Sequence, residues 1–227
     1  RTYLKMLQRY QKVVNERNHL LKKIGAGYGN IDELLYWDRE FCSLAAQITR
    51  ARVEVVAELF QLVLDYYSII SSNGEVIGLE YFPAFGSDYP QDQFEIIIEK
   101  TIQEIRSKEL LLGQTIIGPH RDDLKIMLNG FDLAKFGSRG QFRTMAIALR
   151  LGEAKLLTQK LSEEPILLLD DALSEMDSVR QQKILDSIAQ SDQVLLTTVD
   201  SGKNTIFPTI PSTNYQVIGG KIFTSPN

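Results

Sequence analysis

Only one cysteine, Cys42, occurs in the 227 residues, so no internal disulfide can form and the small disulfide-stapled secreted scaffolds are excluded. No apolar run is long enough to cross a bilayer, and the first residues carry no signal-peptide pattern. The chain opens on Arg1 rather than Met, which leads to the expectation that it is part of a larger protein. A phosphate-cradling G-x-x-x-x-G-K-[ST] loop is missing as well. Gly202-Lys203 and Gly220-Lys221 have neither the upstream glycine nor a following Ser or Thr. There is no internal repeat, no low-complexity segment, and no alternation of aromatic and basic residues of the kind that stacks single-stranded bases. What is present is ordinary for a globular chain of one or two domains: 44% hydrophobic and 24% charged residues, with 25 basic against 29 acidic for a net charge of −4.

Charge is unevenly spread. Arg1, Lys5, Arg9, Lys12, Arg17, Lys22 and Lys23 face a single acid, Glu16, within the first thirty residues. Leu4, Leu7, Val14 and Leu21 recur there with helical spacing, and Gly25 to Gly29 ends the helix. His19 reads as a solvated residue of that helix. A second apolar series, from Leu34 and Trp37 to Tyr66 and Ile69, predicts one long helix from Ile31 to about Ser71. Together these form an antiparallel helical arm. Glu75 to Phe82 alternates as a strand, and a helix capped by Asp92 is predicted to run to Gly113 as the arm's third. Beyond Gly113 the texture changes. A strand at Thr115–Ile117 and a hairpin of Leu124–Leu128 and Phe131–Phe136 about Asn129-Gly130 precede alternating helix and strand. The helices are Gln141–Lys160 and Val179–Ala189, the strands Ile166–Leu169 and Val194–Thr198, and the tail is suited to an edge hairpin. Short apolar strands between helices predict an α/β half with a parallel sheet covered on both faces. The expected division is a helical arm over residues 1–112, whose strand near 75–82 is placed to join the second half's sheet, and an α/β half over 113–227.

The strongest chemical signal is Ile166 to Asp177, reading ILLLDDALSEMD. A buried strand ending in two carboxylates puts Asp170 and Asp171 at the carboxyl edge of a parallel sheet, where α/β proteins bind ligands. Magnesium on nucleotide phosphates takes such a hard oxygen ligand, and a second acid can orient or deprotonate an attacking water, the Walker B arrangement. The plain structural alternative is an aspartate pair capping the next turn. Upstream, Ser138-Arg139-Gly140-Gln141 stands before a long helix. Small residues at a helix N-terminus expose backbone N–H groups to an anion, against the alternative of a simple N-cap. The order of the parts makes the joint pattern specific: glycine-bearing loop, helix, apolar strand, paired acids, then Ser174-Glu175-Met176-Asp177.

This pattern resembles the RecF family, recombination and repair ATPases of bacteria within the cassette ATPases that include the structural-maintenance-of-chromosomes proteins. The resemblance rests on Gly118-Pro119-His120-Arg121-Asp122-Asp123-Leu124, on Gly137 to Thr144 (GSRGQFRT) and on ILLLDDALSEMD, and extends weakly over Tyr10-Gln11-Lys12, Arg17-Asn18 and Leu20-Leu21-Lys22. It implies a cassette-type ATPase half with a long-helix arm, using ATP and Mg2+ in an ATP-dependent homodimer. Ser138, Arg139, Gly140 and Gln141 would be the signature loop that meets the γ-phosphate of ATP held by the opposite subunit. Asp170 would support magnesium, through water, Asp171 would be the catalytic acid, and Ser174, Glu175 and Asp177 would belong to the D-loop at the dimer seam. Thr198 would stand at the switch position, where most cassette ATPases carry His, as most carry Glu where Asp171 stands. A shorter acid and an uncharged switch imply slow hydrolysis. The resemblance implies that the family's phosphate loop lies ahead of Arg1, so the fragment alone is expected to bind ATP poorly and to be inactive. By the same resemblance the partners are DNA at gaps or single/double-strand junctions, RecR and RecO, in the cytoplasm and without a membrane, in DNA repair, replication, recombination and the SOS response. Lys5, Arg9, Lys12 and Arg17 are candidate contacts to DNA or a partner, and the His120–Asp123 loop a candidate seam element or a plain capping loop.

Two rivals come from other classes. In the first, Asp122, Asp123, Asp170 and Asp171 form a two-metal nuclease cluster, although adjacent acid pairs differ from the spaced acids of topoisomerase-primase-like nucleases. Alternatively, the arm is a binding module on an inert platform. A kinase reading of His120-Arg121-Asp122 fails, because Met127 stands where Asn is required and no DFG follows.

Overall fold

The computed structural model describes residues 2–71, 74–174, 176–198 and 212–224. Two compact units emerge: residues 1–61 with 76–137, and residues 62–75 with 138–227.

In the first unit, α1 (Thr2–Gly25) and most of α2 (Ile31–Ser71) are the predicted long helices. Gly27, at φ 84°, supplies the left-handed residue that ends the first of them. Tyr10, Val13 and Val14 of α1 pack with Phe41, Ala45 and Ile48 of α2 and with Phe94, Ile98 and Ile102 of a third helix, α3 (Phe94–Glu104). The expected single helix from Asp92 to Gly113 is broken. Asp92 lies inside a 3-10 turn, Gln91–Gln93, and is not the cap. α3 stops at Ile105, and α4 (Arg106–Leu112) ends on Gly113 at φ 63°. The break places Arg106 and Glu109 against the charges of Asp38 and Arg17.

β1 (Ile77–Phe82) pairs antiparallel with β2 (Asp123–Leu128), which turns through Asn129 and Gly130, both at positive φ, into β3 (Phe131–Asp132). The strand near 75–82 thus joins this hairpin, and the three strands form their own sheet. Two expected strands differ. Thr115–Ile117 is irregular because side chains take its backbone donors: Asn18 Oδ1 accepts from Thr115 N at 2.6 Å and Glu109 Oε1 from Ile116 N at 3.2 Å. The strand from Phe131 stops after two residues because Asp132 accepts from Ala134 N at 2.9 Å and caps a helical turn, α5 (Leu133–Phe136).

In the second unit, α6 (Arg139–Leu161) leads to β4 (Leu167–Leu169), which pairs in parallel with β5 (Val194–Leu196) across α7 (Ser178–Ile188). The core joins Ile147 and Leu151 of α6, Leu167 and Leu169 of β4, Ile184 and Ile188 of α7, and Ile70 from the end of α2. Coverage on both faces is not observed. Leu168 and its register partner Leu195 are 73% and 51% exposed, so only one face of this parallel pair is packed among the described residues. The tail forms a hairpin of β6 (Tyr215–Ile218) and β7 (Lys221–Thr224), which pair only with each other among the described residues.

Candidate functional site

Ser138 is the N-cap of α6, in extended conformation at φ −75° and ψ 160°. Its Oγ accepts from Gln141 N at 3.3 Å, while Gln141 Oε1 accepts from Ser138 N at 2.8 Å, a reciprocal capping box. The box satisfies those two donors. Helix geometry gives the N–H groups of Arg139 and Gly140 no acceptor within the helix, so they remain at the positive end of a 23-residue dipole. Gly140 has little room behind it, since a Cβ there would lie 3.2 Å from Arg180 Nη1. The bland alternative, a simple N-cap, and the anion-binding one are the same geometry here: the cap presents the two remaining N–H groups.

Asp170 and Asp171 leave β4 at its carboxyl edge, as expected. The parallel register pairs Leu169 with Leu196, which brings Thr197 beside the acids. Thr197 N donates to Leu169 O at 2.9 Å, its Oγ1 donates to Asp170 Oδ1 at 2.5 Å, and the same oxygen accepts from Asp171 N at 3.0 Å. Asp171 sits at φ 47°, left-handed. Its Oδ2 accepts from Ser174 Oγ at 2.9 Å, and Arg143 Nη1 donates to both the hydroxyl and the carbonyl of Ser174. One oxygen of each carboxylate is therefore bonded within the site, and each acid keeps a second oxygen that takes no hydrogen bond among the described residues. Gln181 Nε2 pins the following loop by donating to Leu173 O at 2.8 Å and Met176 O at 3.2 Å. Asp177 is the N-cap of α7, and the Arg180 N–H, at 2.9 Å, holds its carboxyl below the usual range. Glu175 lies outside the described residues. Thr198 is exposed and directly follows the threonine that touches the acids.

Thr197, Arg143 and Glu75 were not anticipated. Thr197 was recoverable from strand register, because the residue after Leu196 must face the residue after Leu169. No local pattern marks Arg143, which meets Ser174 31 positions away, or Glu75, which accepts from Gln141 66 positions away.

The remaining candidates lie in the first unit. Tyr10 Oη donates to His120 Nδ1 at 2.7 Å, and His120 Nε2 donates to Thr115 O at 3.3 Å, the neutral tautomer these partners require. Desolvation pushes the imidazole below its usual value and the Tyr10 phenol above its own. Asp122 accepts from Ala84 N at 2.7 Å and from Tyr81 Oη, and Arg52 Nη1 donates to Pro119 O. Gly118, at φ 109°, has no space for a Cβ, which would lie 2.6 Å from Tyr10 Oη and 2.8 Å from Phe41 Cζ. His120 and Asp122 thus stitch the loop into its own unit, while Arg121 and Asp123 are exposed. Of the basic candidates, Lys5 and Lys12 are exposed and Arg9 pairs at the surface with Glu40 at 2.8 Å. Arg17 cannot contact DNA. It is wholly buried, bonded to Asp38 at 2.7 Å, to Glu109 at 2.5 Å and to Thr115 at 2.8 Å. Among the described residues no group of three or more His, Cys, Asp or Glu is placed to hold a metal ion, and Asp122 spends both carboxylate oxygens on its own unit.

No family model matches the chain. It is 34% identical over 227 residues to the DNA replication and repair protein RecF of Synechococcus sp. (strain JA-2-3B'a(2-13)), covering 98% of the chain and 60% of the relative. The RecF protein of Agathobacter rectalis is 37% identical over 196 residues, 86% of the chain and 52% of the relative. A solved structure described as the recombination mediator protein RecF-ATP in the RecFOR pathway superposes with a TM-score of 0.83 at 27% identity, covering 99% of this chain and 59% of that one. The chain belongs to the RecF family. It spans little more than half the length of the RecF proteins it matches. Its fold is that of the corresponding RecF portion, a long-helix arm with a cassette-type α/β half, and the same superposition holds for a second RecF structure, with ATPrS, at a TM-score of 0.80.

Proposed function

We propose that this chain is the part of a RecF-type DNA replication and repair ATPase that supplies the signature loop and the Walker B acids. ATP closes a dimer in which Ser138 to Gln141 of one copy meet the γ-phosphate bound by the other, and hydrolysis reopens it. The observation that carries this reading is the pairing of two half-sites in one unit: a capped helix N-terminus whose next two N–H groups have no acceptor within the helix, and two acids, each with one oxygen not hydrogen-bonded among the described residues. The donor chemistry fits the group. Asp170 offers hard oxygen to a magnesium ion directly or through water, and Arg139 N and Gly140 N suit a phosphate oxygen. When bound, ATP supplies the transferable phosphoryl group. Asp171 then orients or deprotonates the attacking water through the oxygen that Ser174 does not hold, while Thr197 fixes Asp170. The arm's exposed lysines, Lys5 and Lys12, meet DNA phosphates by counterion release, with RecR and RecO as partners and the cytoplasm as location. Among the described residues no helix is long and apolar enough to cross a membrane.

The test is Asp171→Asn in a protein that carries this chain behind a RecF-family segment with a phosphate loop. Turnover is expected to fall by a factor of at least about 100, while ATP-dependent dimers persist. Turnover at the parent rate would refute the assignment of Asp171, and DNA cleavage that disappears in this variant would favour the nuclease instead.

A further inference from the structure

The capping box of α6 is not closed on itself. Gln141 uses its amide oxygen on Ser138 N, and its amide nitrogen donates to Glu75 Oε1 at 2.8 Å. The other carboxylate oxygen of Glu75 accepts from Tyr67 Oη at 2.9 Å. Tyr67 is 1% exposed and sits in the last turns of α2, where Ile70 enters the second unit's core and Ile69 O accepts from Lys183 Nζ at 2.8 Å. Burial and the Glu75 carboxylate both push the Tyr67 phenol upward, so it stays a donor. A continuous chain of hydrogen bonds therefore runs from the end of the 41-residue helix α2, through Tyr67, Glu75 and Gln141, to the backbone N–H of Ser138.

A capping box alone fixes the first turn of a helix and needs only its own two residues. Here a third residue, 66 positions away, orients the glutamine amide, so that its oxygen faces Ser138 and its nitrogen faces away. The amide cannot flip without placing two acceptors, the carboxylate and its own oxygen, against each other. The loop that presents Arg139 N and Gly140 N is thus held in one orientation by the tail of the arm helix.

We propose that Glu75, backed by Tyr67, is a positioning residue that couples the end of the arm helix to the signature loop, so that the register of α2 sets how well the loop closes on ATP bound by a second copy. This rests on the signature-loop reading above. Movement of α2, of the kind expected when a partner or DNA binds along the arm, would be read by the loop through one carboxylate.

The experiment measures ATP-dependent dimerisation by light scattering, with thermal unfolding alongside, in the protein carrying a RecF-family phosphate-loop segment. Ser138→Arg is expected to abolish the dimer, and if it does not, the signature-loop reading fails and this inference with it. Given that loss, Glu75→Ala is expected to weaken ATP-dependent dimerisation by about ten-fold or more. Glu75→Gln should restore most of it, because its oxygen accepts from Gln141 and its nitrogen donates to the Tyr67 oxygen. Tyr67→Phe, which removes only a hydroxyl, should weaken the dimer several-fold and serves where Glu75→Ala does not fold. On a Gln141→Ala background, Glu75→Ala should add nothing further. Glu75→Ala or Tyr67→Phe dimerising as the parent, or Glu75→Ala costing as much with Gln141 absent as with it present, would overturn the inference. So would a Glu75→Gln protein no better than Glu75→Ala at equal thermal stability.

Discussion

Replacing Arg17 by methionine tests how the arm is held together, and whether its basic end is all one kind of surface. The guanidinium is wholly buried and donates through Nε to Asp38 at 2.7 Å, through Nη1 to Glu109 at 3.0 Å and Thr115 at 2.8 Å, and through Nη2 to Glu109 at 2.5 Å. It also lies 5.1 Å above the Phe41 ring. Methionine fills most of the volume and leaves two carboxylates behind. Asp38 retains Arg106, but Glu109, wholly buried, keeps among the described residues only the Ile116 N–H at 3.2 Å. Removing one partner of a buried, bidentate pair costs about 3–5 kcal/mol. At about 2–4 °C per kcal/mol for a chain of this size, the midpoint of thermal unfolding should fall by about 6–20 °C. Circular dichroism at 222 nm reads this directly. Adding Glu109→Met should recover much of the loss, since an apolar pair of similar volume substitutes well for a buried ion pair. A single variant within about 2 °C of the parent, or a double variant no better than the single, would refute the account of Arg17 as a structural cation.

Three further outcomes separate surface from interior. Lys5→Ala and Lys12→Ala should each reduce the slope of log DNA affinity against log salt by about 0.9 with no change in unfolding midpoint, and an unchanged slope in both would remove α1 from the DNA surface. Burial pushes the Cys42 thiol up to about 12, so folded protein at pH 8 should resist alkylation that is rapid in urea, and fast labelling of the folded form would show the arm's core to be open. His120 is held neutral, below its usual 6.5, so the unfolded chain takes up the proton first as pH falls. Its contribution to stability is present above pH 6.5 and is lost below it until the folded value is reached. His120→Asn should flatten that part of the stability profile, and identical profiles for the two proteins would refute it.

The long helices, the hairpin turn at Asn129-Gly130 and the order of loop, helix, strand and acids were all legible because each is written in local spacing. What was not legible depended on partners far along the chain. Thr115–Ile117 has the composition of a strand, yet Asn18 and Glu109 satisfy its backbone, and nothing near Thr115 announces them. Arg17 matches its basic neighbours in sequence and differs from them only by facing Asp38 and Glu109. The apolar runs of β4 and β5 predicted burial on both faces, but Leu168 and Leu195 are exposed, so the sequence records an apolar face that the described residues do not cover. Thr197 was missed because its place beside the acids follows from the pairing of Leu169 with Leu196, which no local motif records.

The acid pair shows why its members are not interchangeable. Asp170 directly follows the strand and is fixed by the Thr197 hydroxyl, whereas Asp171 is in the left-handed region at φ 47°, where short polar side chains that bond locally are favoured. Its local bonds are visible: the backbone N–H goes to Thr197 Oγ1 and the carboxylate to Ser174. A glutamate here would meet the same backbone conformation with a longer chain, and its carboxylate would overreach the Ser174 hydroxyl that Arg143 holds in place. The aspartate is therefore matched to this turn rather than a truncated version of the usual glutamate. Under the proposed mechanism it gives up reach toward an attacking water in exchange for a fixed carboxylate. That exchange favours a dimer that stays closed on ATP over one that turns it over quickly.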